Sequence, residues 1–180
     1  MRSIFELLMK KIKTFGFDNV REIKVSEIKF EPSLLELCKQ NQCGNYGKCH
    51  TCPPLIGEVD NLIEKARSFD KIIVFQKIYQ LEDSFDIEGM NEGSKNFNIL
   101  TRKVKDLLEK LPYKTLLLGA GGCRVCKRCS AIDNMPCRFP NKAIASLESY
   151  GINVYELASA CDMKYINGQN TVTYFGGLFY

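Results

Sequence analysis

Nine of the 180 residues are cysteine, and eight of them stand in two short groups. The later group reads Cys123-x2-Cys126-x2-Cys129-x7-Cys137 and runs on into Arg138, Phe139 and Pro140. Three thiolates, each two residues beyond the last, match the ligand spacing of a ferredoxin-type [4Fe-4S] cluster. So tight a loop lets several sulfurs converge on one cubane while its backbone N–H groups turn toward the sulfides. The fourth cysteine follows after seven residues rather than three, a spacing that lets all four sulfurs hold the same cluster. Zinc is the alternative, although one small ion is more often held by two separated Cys-x2-Cys knuckles. Thiol chemistry without a metal is the third reading.

The earlier group is Cys38-x4-Cys43-x5-Cys49-x2-Cys52-Pro53-Pro54. Its spacing follows no standard motif, yet four thiols in a Gly/Pro-rich loop suit a second iron–sulfur cluster, a zinc site, or a redox pair at Cys49-x2-Cys52. Gly44 and Gly47 relieve crowding around such ligands, and Pro53 and Pro54 stiffen the loop exit. His50, the only histidine, would be either a ligand in a mixed site or an exposed neighbour of the ligands. No hydrolase constellation surrounds it.

Around the later group, Arg124, Lys127, Arg128 and Arg138 oppose only Asp133. A thiolate-bound cubane is an anion, so these cations would stabilise it and raise its potential. A zinc tetrathiolate is also anionic, so charge does not separate the metals. Gly119-Ala120-Gly121-Gly122 superficially resembles a dinucleotide loop, but Arg124 occupies the place of the third glycine. Gly121, Gly122 and Arg124 are therefore expected to contact a cluster, their amides reaching its sulfurs. Cys161 is expected to be a buried, apolar-like thiol.

These loops need a scaffold, and the apolar pattern supplies one. Phe5, Leu8, Met9, Ile12 and Phe15 recur at helical spacing, with Gly16 as a stop. Residues 20–30 suggest a short strand, and Pro32 fits the first turn of a short helix leading into Cys38. Val59, Leu62, Ile63 and Ala66 mark a helix ending near Phe69. Lys71 to Leu81 is the best strand, through Ile72, Ile73, Val74 and Phe75. After a polar, Gly-containing connection, Phe97, Leu100, Val104, Leu107, Leu108 and Leu111 give the longest helix, limited by Pro112. Tyr113 to Leu118 is a buried strand that runs into the glycines. Strand, helix and strand in this order suggest a right-handed βαβ unit with the cysteine loop at the C-terminal end of its second strand. Asn141 would cap a helix over 142–150 closed by Gly151, and a further helix would run from Val154 to Cys161. Thr171 to Tyr180 reads as a terminal strand interrupted at Gly176-Gly177, and Tyr165 and the tail aromatics as sheet core. The fold class is α/β, or α+β: a small mixed sheet with flanking helices and two metal-binding loops, at about 38–54 and 119–140, in one domain spanning 1–180.

Composition excludes other classes. With 45 per cent hydrophobic and 26 per cent charged residues, disorder is excluded, and no apolar run reaches the length of a membrane span. A net charge of +4 is too mild to argue for nucleic acid. In the segment from Met1 to Phe17, Glu6 and the lysines at 10, 11 and 13 interrupt any signal-peptide core. The expectation is a cytoplasmic protein, where dense cysteine means metal or catalysis rather than disulfides.

Taken together, Cys43-Gly-Asn-Tyr46-Gly47, Cys52-Pro53-Pro54, Gly121-Gly122-Cys123-x2-Cys126-x2-Cys129, Pro136-Cys137-Arg138-x-Pro140, Ser146-Leu147-Glu148 with Gly151, and Asn170-Thr-Val-Thr-Tyr-Phe-Gly carry a resemblance. They resemble a bacterial and archaeal family of cysteine-rich, predicted metal-binding proteins of unknown function, over most of the chain. The resemblance implies cysteine-ligated metal, iron–sulfur in kind, in a cytoplasmic protein of anaerobic-type metabolism. It implies no reaction. The chain departs from the family pattern at Cys49-His50, where an aromatic residue is more usual, so Cys38, Cys43 and Cys52 are the ligands the resemblance favours in that loop.

The functional expectation is one or two [4Fe-4S] clusters serving electron transfer or redox assistance to a partner protein. The alternatives are a structural zinc or cluster module for protein interaction, and an enzyme in which the earlier group leaves one iron without a thiolate.

Overall fold

The computed structural model describes residues 4–180. In chain order the elements are α1 (Ile4–Lys13), β1 (Asn19–Lys24), α2 (Leu34–Lys39), α3 (Val59–Arg67), β2 (Lys71–Gln80), α4 (Ile87–Leu108), β3 (Leu116–Gly119), β4 (Ala145–Ser146), α5 (Val154–Ala160) and β5 (Thr171–Phe179). Short 3-10 turns lie at Val25–Glu27, Ser130–Asp133 and Glu148–Tyr150. The five strands form one mixed sheet in the order β1-β2-β5-β3-β4, antiparallel except for the parallel β3–β4 pair.

The period-2 pattern of β2 sets the layering. Ile72 and Val74 point into one core and Ile73 and Phe75 into the other, all four without solvent exposure. The first core is closed by Leu62 and Ala66 of α3, Leu157 and Ala158 of α5, and Cys161. The second is closed by Leu8 and Ile12 of α1 and by Phe97, Val104 and Leu108 of α4. Helices thus cover both faces, as an α/β sheet with two apolar faces requires. Each large side chain so buried stabilises the fold by about 1.5–3 kcal/mol relative to exposure. Among the described residues no helix is long and apolar enough to cross a membrane.

Several expectations are corrected in detail. β2, α4 and β3 do succeed one another, but β5 lies between the two strands and pairs antiparallel with both, so the unit is a split βαβ. α4 begins ten residues before Phe97, within the stretch read as a connection: Asp86 caps it by accepting from the Gly89 N–H at 2.8 Å. Gly93 lies inside this helix for a packing reason, since a Cβ there would sit 3.1 Å from the Tyr79 ring and 3.3 Å from that of Tyr174. No helix forms over 142–150. Ala145 and Ser146 instead pair with Leu118 and Gly119 as an edge strand, and the 3-10 turn that follows closes at Gly151 with φ of 65°. β5 is continuous through Gly176 and Gly177, which are small because the Phe75 ring and Ile72 occupy the space their side chains would need. Phe175 and Phe179 are core residues, whereas Tyr165, expected in the core, is exposed and stacks on Phe175 from outside with centroids 5.9 Å apart. α1 covers most of the expected first helix; Met1 to Ser3 lie outside the described residues.

Candidate metal centre

Both cysteine-rich loops are carried by this scaffold and packed on each other. One leaves α2, and the other leaves the C-terminal end of β3 through Gly119–Gly122. Three contacts join them. The Cys123 backbone N–H donates to Thr51 Oγ1 at 3.3 Å. His50 Nε2 lies 2.9 Å from the Met135 carbonyl oxygen. Gly122 packs flat on Asn45, where a Cβ would come within 3.0 Å of the amide carbon. The Thr51 carbonyl in turn accepts from the Ser149 hydroxyl at 3.3 Å, tying the first loop to the turn after β4.

The packing groups the thiols five and three, where sequence order groups them four and four. Cys49 joins Cys123, Cys126, Cys129 and Cys137 around one narrow cavity of about 20 Å³. Cys49, Cys123, Cys126 and Cys129 also border an open groove of about 620 Å³, which Cys43 reaches as well, so the room for a bulky group lies on the outer side of these sulfurs. Cys38, Cys43 and Cys52 line a separate, mostly apolar cavity of about 300 Å³, together with Leu34, Leu37, Tyr46, Pro53 and Glu148. All nine cysteines are free thiols. Cys161 is apart from both sets, buried in the first core at 3 per cent exposure, and burial pushes its thiol up to about 12.

Cys49 stands at the junction of the two cavities, and its surroundings favour the thiolate. A hydrogen bond from the Cys52 thiol, then bonds from the Thr51 hydroxyl and from the Thr51 and Cys123 backbone N–H groups, outweigh its burial and lower it to about 5. Cys52 is correspondingly raised, first by sharing its proton with Cys49 and then by burial. Burial also raises Cys123, and burial followed by the charges of Cys43 and Glu148 raises Cys38. The Glu148 carboxyl is pushed up by burial.

The later loop is rigid by its own hydrogen bonds. Ser130 Oγ donates to the Pro136 carbonyl at 2.8 Å, and the Met135 N–H to the Ser130 carbonyl at 3.1 Å, which folds the seven-residue spacer so that Cys129 and Cys137 face the same cavity. Arg128 is paired with Asp133 at 2.8 Å, and Arg138 donates to the Arg128 carbonyl, so these two cations brace the loop. The Arg124 carbonyl is held by Arg102 of α4 at 2.7 Å. The groove wall gains Lys48 and Lys95 beside Arg124, Lys127 and Arg128, and it contains no carboxylate. Gly121 and Gly122 border the three-thiol cavity. Because a carbonyl can only accept, His50 donates from Nε2 in this contact.

Among the described residues, no three Cys, His, Asp or Glu side chains converge closely enough to hold a single ion. The thiols ring cavities instead, an arrangement suited to a polynuclear core whose irons are each bound by a different sulfur. Thr51, Ser149, Lys48 and Lys95 carry no local sequence signal for this site; the turn after β4, the packing of the loops and, for Lys95, the position of α4 bring them there. A family model described as "Predicted metal-binding protein (DUF2284)" matches residues 21–180. No curated protein and no solved structure matches the chain.

Proposed function

Since the chain belongs to this family of predicted metal-binding proteins, we propose that the metal is an iron–sulfur cluster and that the protein exchanges electrons with a partner protein. The ring of Cys49, Cys123, Cys126, Cys129 and Cys137 around one cavity carries this reading, because it offers more thiols than one ion needs and spreads them. When bound, a cluster supplies one-electron redox chemistry. The chain's residues would supply the thiolates, amide donors from the later loop, and the positive wall of Lys48, Lys95, Arg124, Lys127 and Arg128. That wall both offsets the anionic core and favours an acidic face on the partner. The two-sided apolar scaffold holds the loop ends still, which keeps reorganisation on electron transfer small.

The test is anaerobic purification with iron, acid-labile sulfide and zinc quantified together, followed by electron paramagnetic resonance before and after reduction. The expected protein is brown, with iron and sulfide in equal amounts at about four of each per cluster. Colourless protein with stoichiometric zinc would overturn the proposal.

A further inference from the structure

The three-thiol cavity has a composition that the five-thiol ring lacks. Its wall holds Cys38, Cys43, Cys52 and the Glu148 carboxyl group, and it contains no Lys, Arg or His. Glu148 forms no ion pair among the described residues. Three thiols and one carboxyl group therefore line one mostly apolar cavity whose wall holds no cation. Three soft sulfur donors beside one harder oxygen donor are a donor set that suits a thiolate-bound metal. Cys49, the fourth thiol of the same loop, borders the other cavity and not this one.

We infer that this cavity is a second, site-differentiated metal centre in which Cys38, Cys43 and Cys52 supply three thiolates and Glu148 supplies the fourth donor. The inference rests on the iron–sulfur reading above. A carboxylate is a harder and weaker ligand for a thiolate-bound iron than a fourth thiolate, so the Glu148 position is the exchangeable one. The space beside it is about 300 Å³ and walled by Leu34, Leu37, Tyr46 and Pro53. That volume is at the lower end of small-molecule sites, roughly 300–1,000 Å³. The wall offers a charged ligand no counter-charge, so the ligand class is a small, uncharged molecule with one lone-pair donor. Binding at that position replaces the carboxylate oxygen on the metal with the ligand's donor atom and involves no change in electron count.

The experiment uses the full chain purified anaerobically as wild type, Cys38→Ser, Cys49→Ser, Glu148→Cys and Glu148→Gln, with methyl isocyanide as the probe. Iron per chain and the electron paramagnetic resonance spectrum with and without the probe are the readouts. The expected wild type holds about eight irons in two clusters, and the probe shifts one of its two signals. Cys38→Ser loses about half the iron and the probe-sensitive signal. Cys49→Ser keeps the probe-sensitive signal. Glu148→Cys keeps the iron but no longer responds to the probe, and Glu148→Gln responds at lower probe concentration. If Cys49→Ser abolishes the probe-sensitive signal as Cys38→Ser does, or if Glu148→Cys responds like wild type, the assignment of Glu148 is overturned. A wild type with one probe-insensitive cluster of about four irons overturns this inference and leaves the proposed function standing. Protein without iron overturns both.

Discussion

The Thr51 hydroxyl oxygen accepts a hydrogen bond from the Cys123 backbone N–H at 3.3 Å and lies 3.3 Å from the Cys49 sulfur. One buried side chain thereby joins two loops that are 72 positions apart in sequence. Through its carbonyl the same residue receives the Ser149 hydroxyl, so α2, β3 and β4 all reach the candidate centre through Thr51.

Replacing Thr51 with Val keeps the shape and removes these bonds. Losing a net hydrogen bond at this half-buried N–H costs about 0.5–1.5 kcal/mol, so thermal unfolding should fall accordingly, and amide exchange at Cys123 should speed up. Thr51→Ser should restore most of both. An unchanged exchange rate at Cys123 in Thr51→Val would show that the bond does not hold the loops together.

His50 is assigned to loop bracing, through the Met135 carbonyl. In His50→Gln, whose amide can still donate to that carbonyl, bound metal per chain should equal wild type. In His50→Ala metal content should also hold, while hydrogen exchange rises across residues 134–137. Loss of metal in His50→Gln would instead make the imidazole a ligand.

Cys161 gives a pH signature. Burial raises its thiol from an ordinary 9.0 to about 12, so between these values the unfolded chain releases a proton that the folded chain retains. Its contribution to stability is therefore complete below pH 9 and declines as pH rises toward 12, by up to about 1.4 kcal/mol per pH unit. Denaturant midpoints across this range should fall less steeply for Cys161→Ala than for wild type. Metal content should match wild type in that variant.

The groove predicts a charge preference in electron exchange. As salt is added, oxidation of the reduced protein should slow with anionic ferricyanide and quicken with cationic ruthenium hexaammine. Lys95→Glu combined with Lys127→Glu should shrink this opposition. Stopped-flow traces that are indifferent to acceptor charge would remove the groove from any role in docking.

Much of the scaffold was legible because its signals are local. The run from Ile72 to Phe75 could only be a doubly buried strand, and Leu100, Val104 and Leu108 mark a helix face wherever they occur. Gly93 and Gly176 misled for a reason that sequence does not display: each is small because an aromatic ring from another element occupies its side-chain space. Asn141 and Gly151 suggest a helix over 142–150, while the pairing of this segment with Leu118 and Gly119 is two residues long and leaves no periodicity to oppose it. At the candidate site, residue type and spacing picked out the thiols of both loops but not their partition. Cys49 sits with Cys123 rather than with Cys38 because the loops interleave, and Glu148 enters because β4 delivers it; both are consequences of non-local packing.

The insertion of β5 between β2 and β3 orders events at the ribosome. β2 and β3 touch the sheet's centre only through β5, and the residues of β5 are translated after both cysteine loops. While residues 38–140 emerge, the two halves of the sheet have no common strand, and eight thiols are displayed on a chain that does not yet hold them in register. Until Thr171–Phe179 has been made and threaded into place, the two thiol-bearing loops therefore hang from separate halves of the sheet.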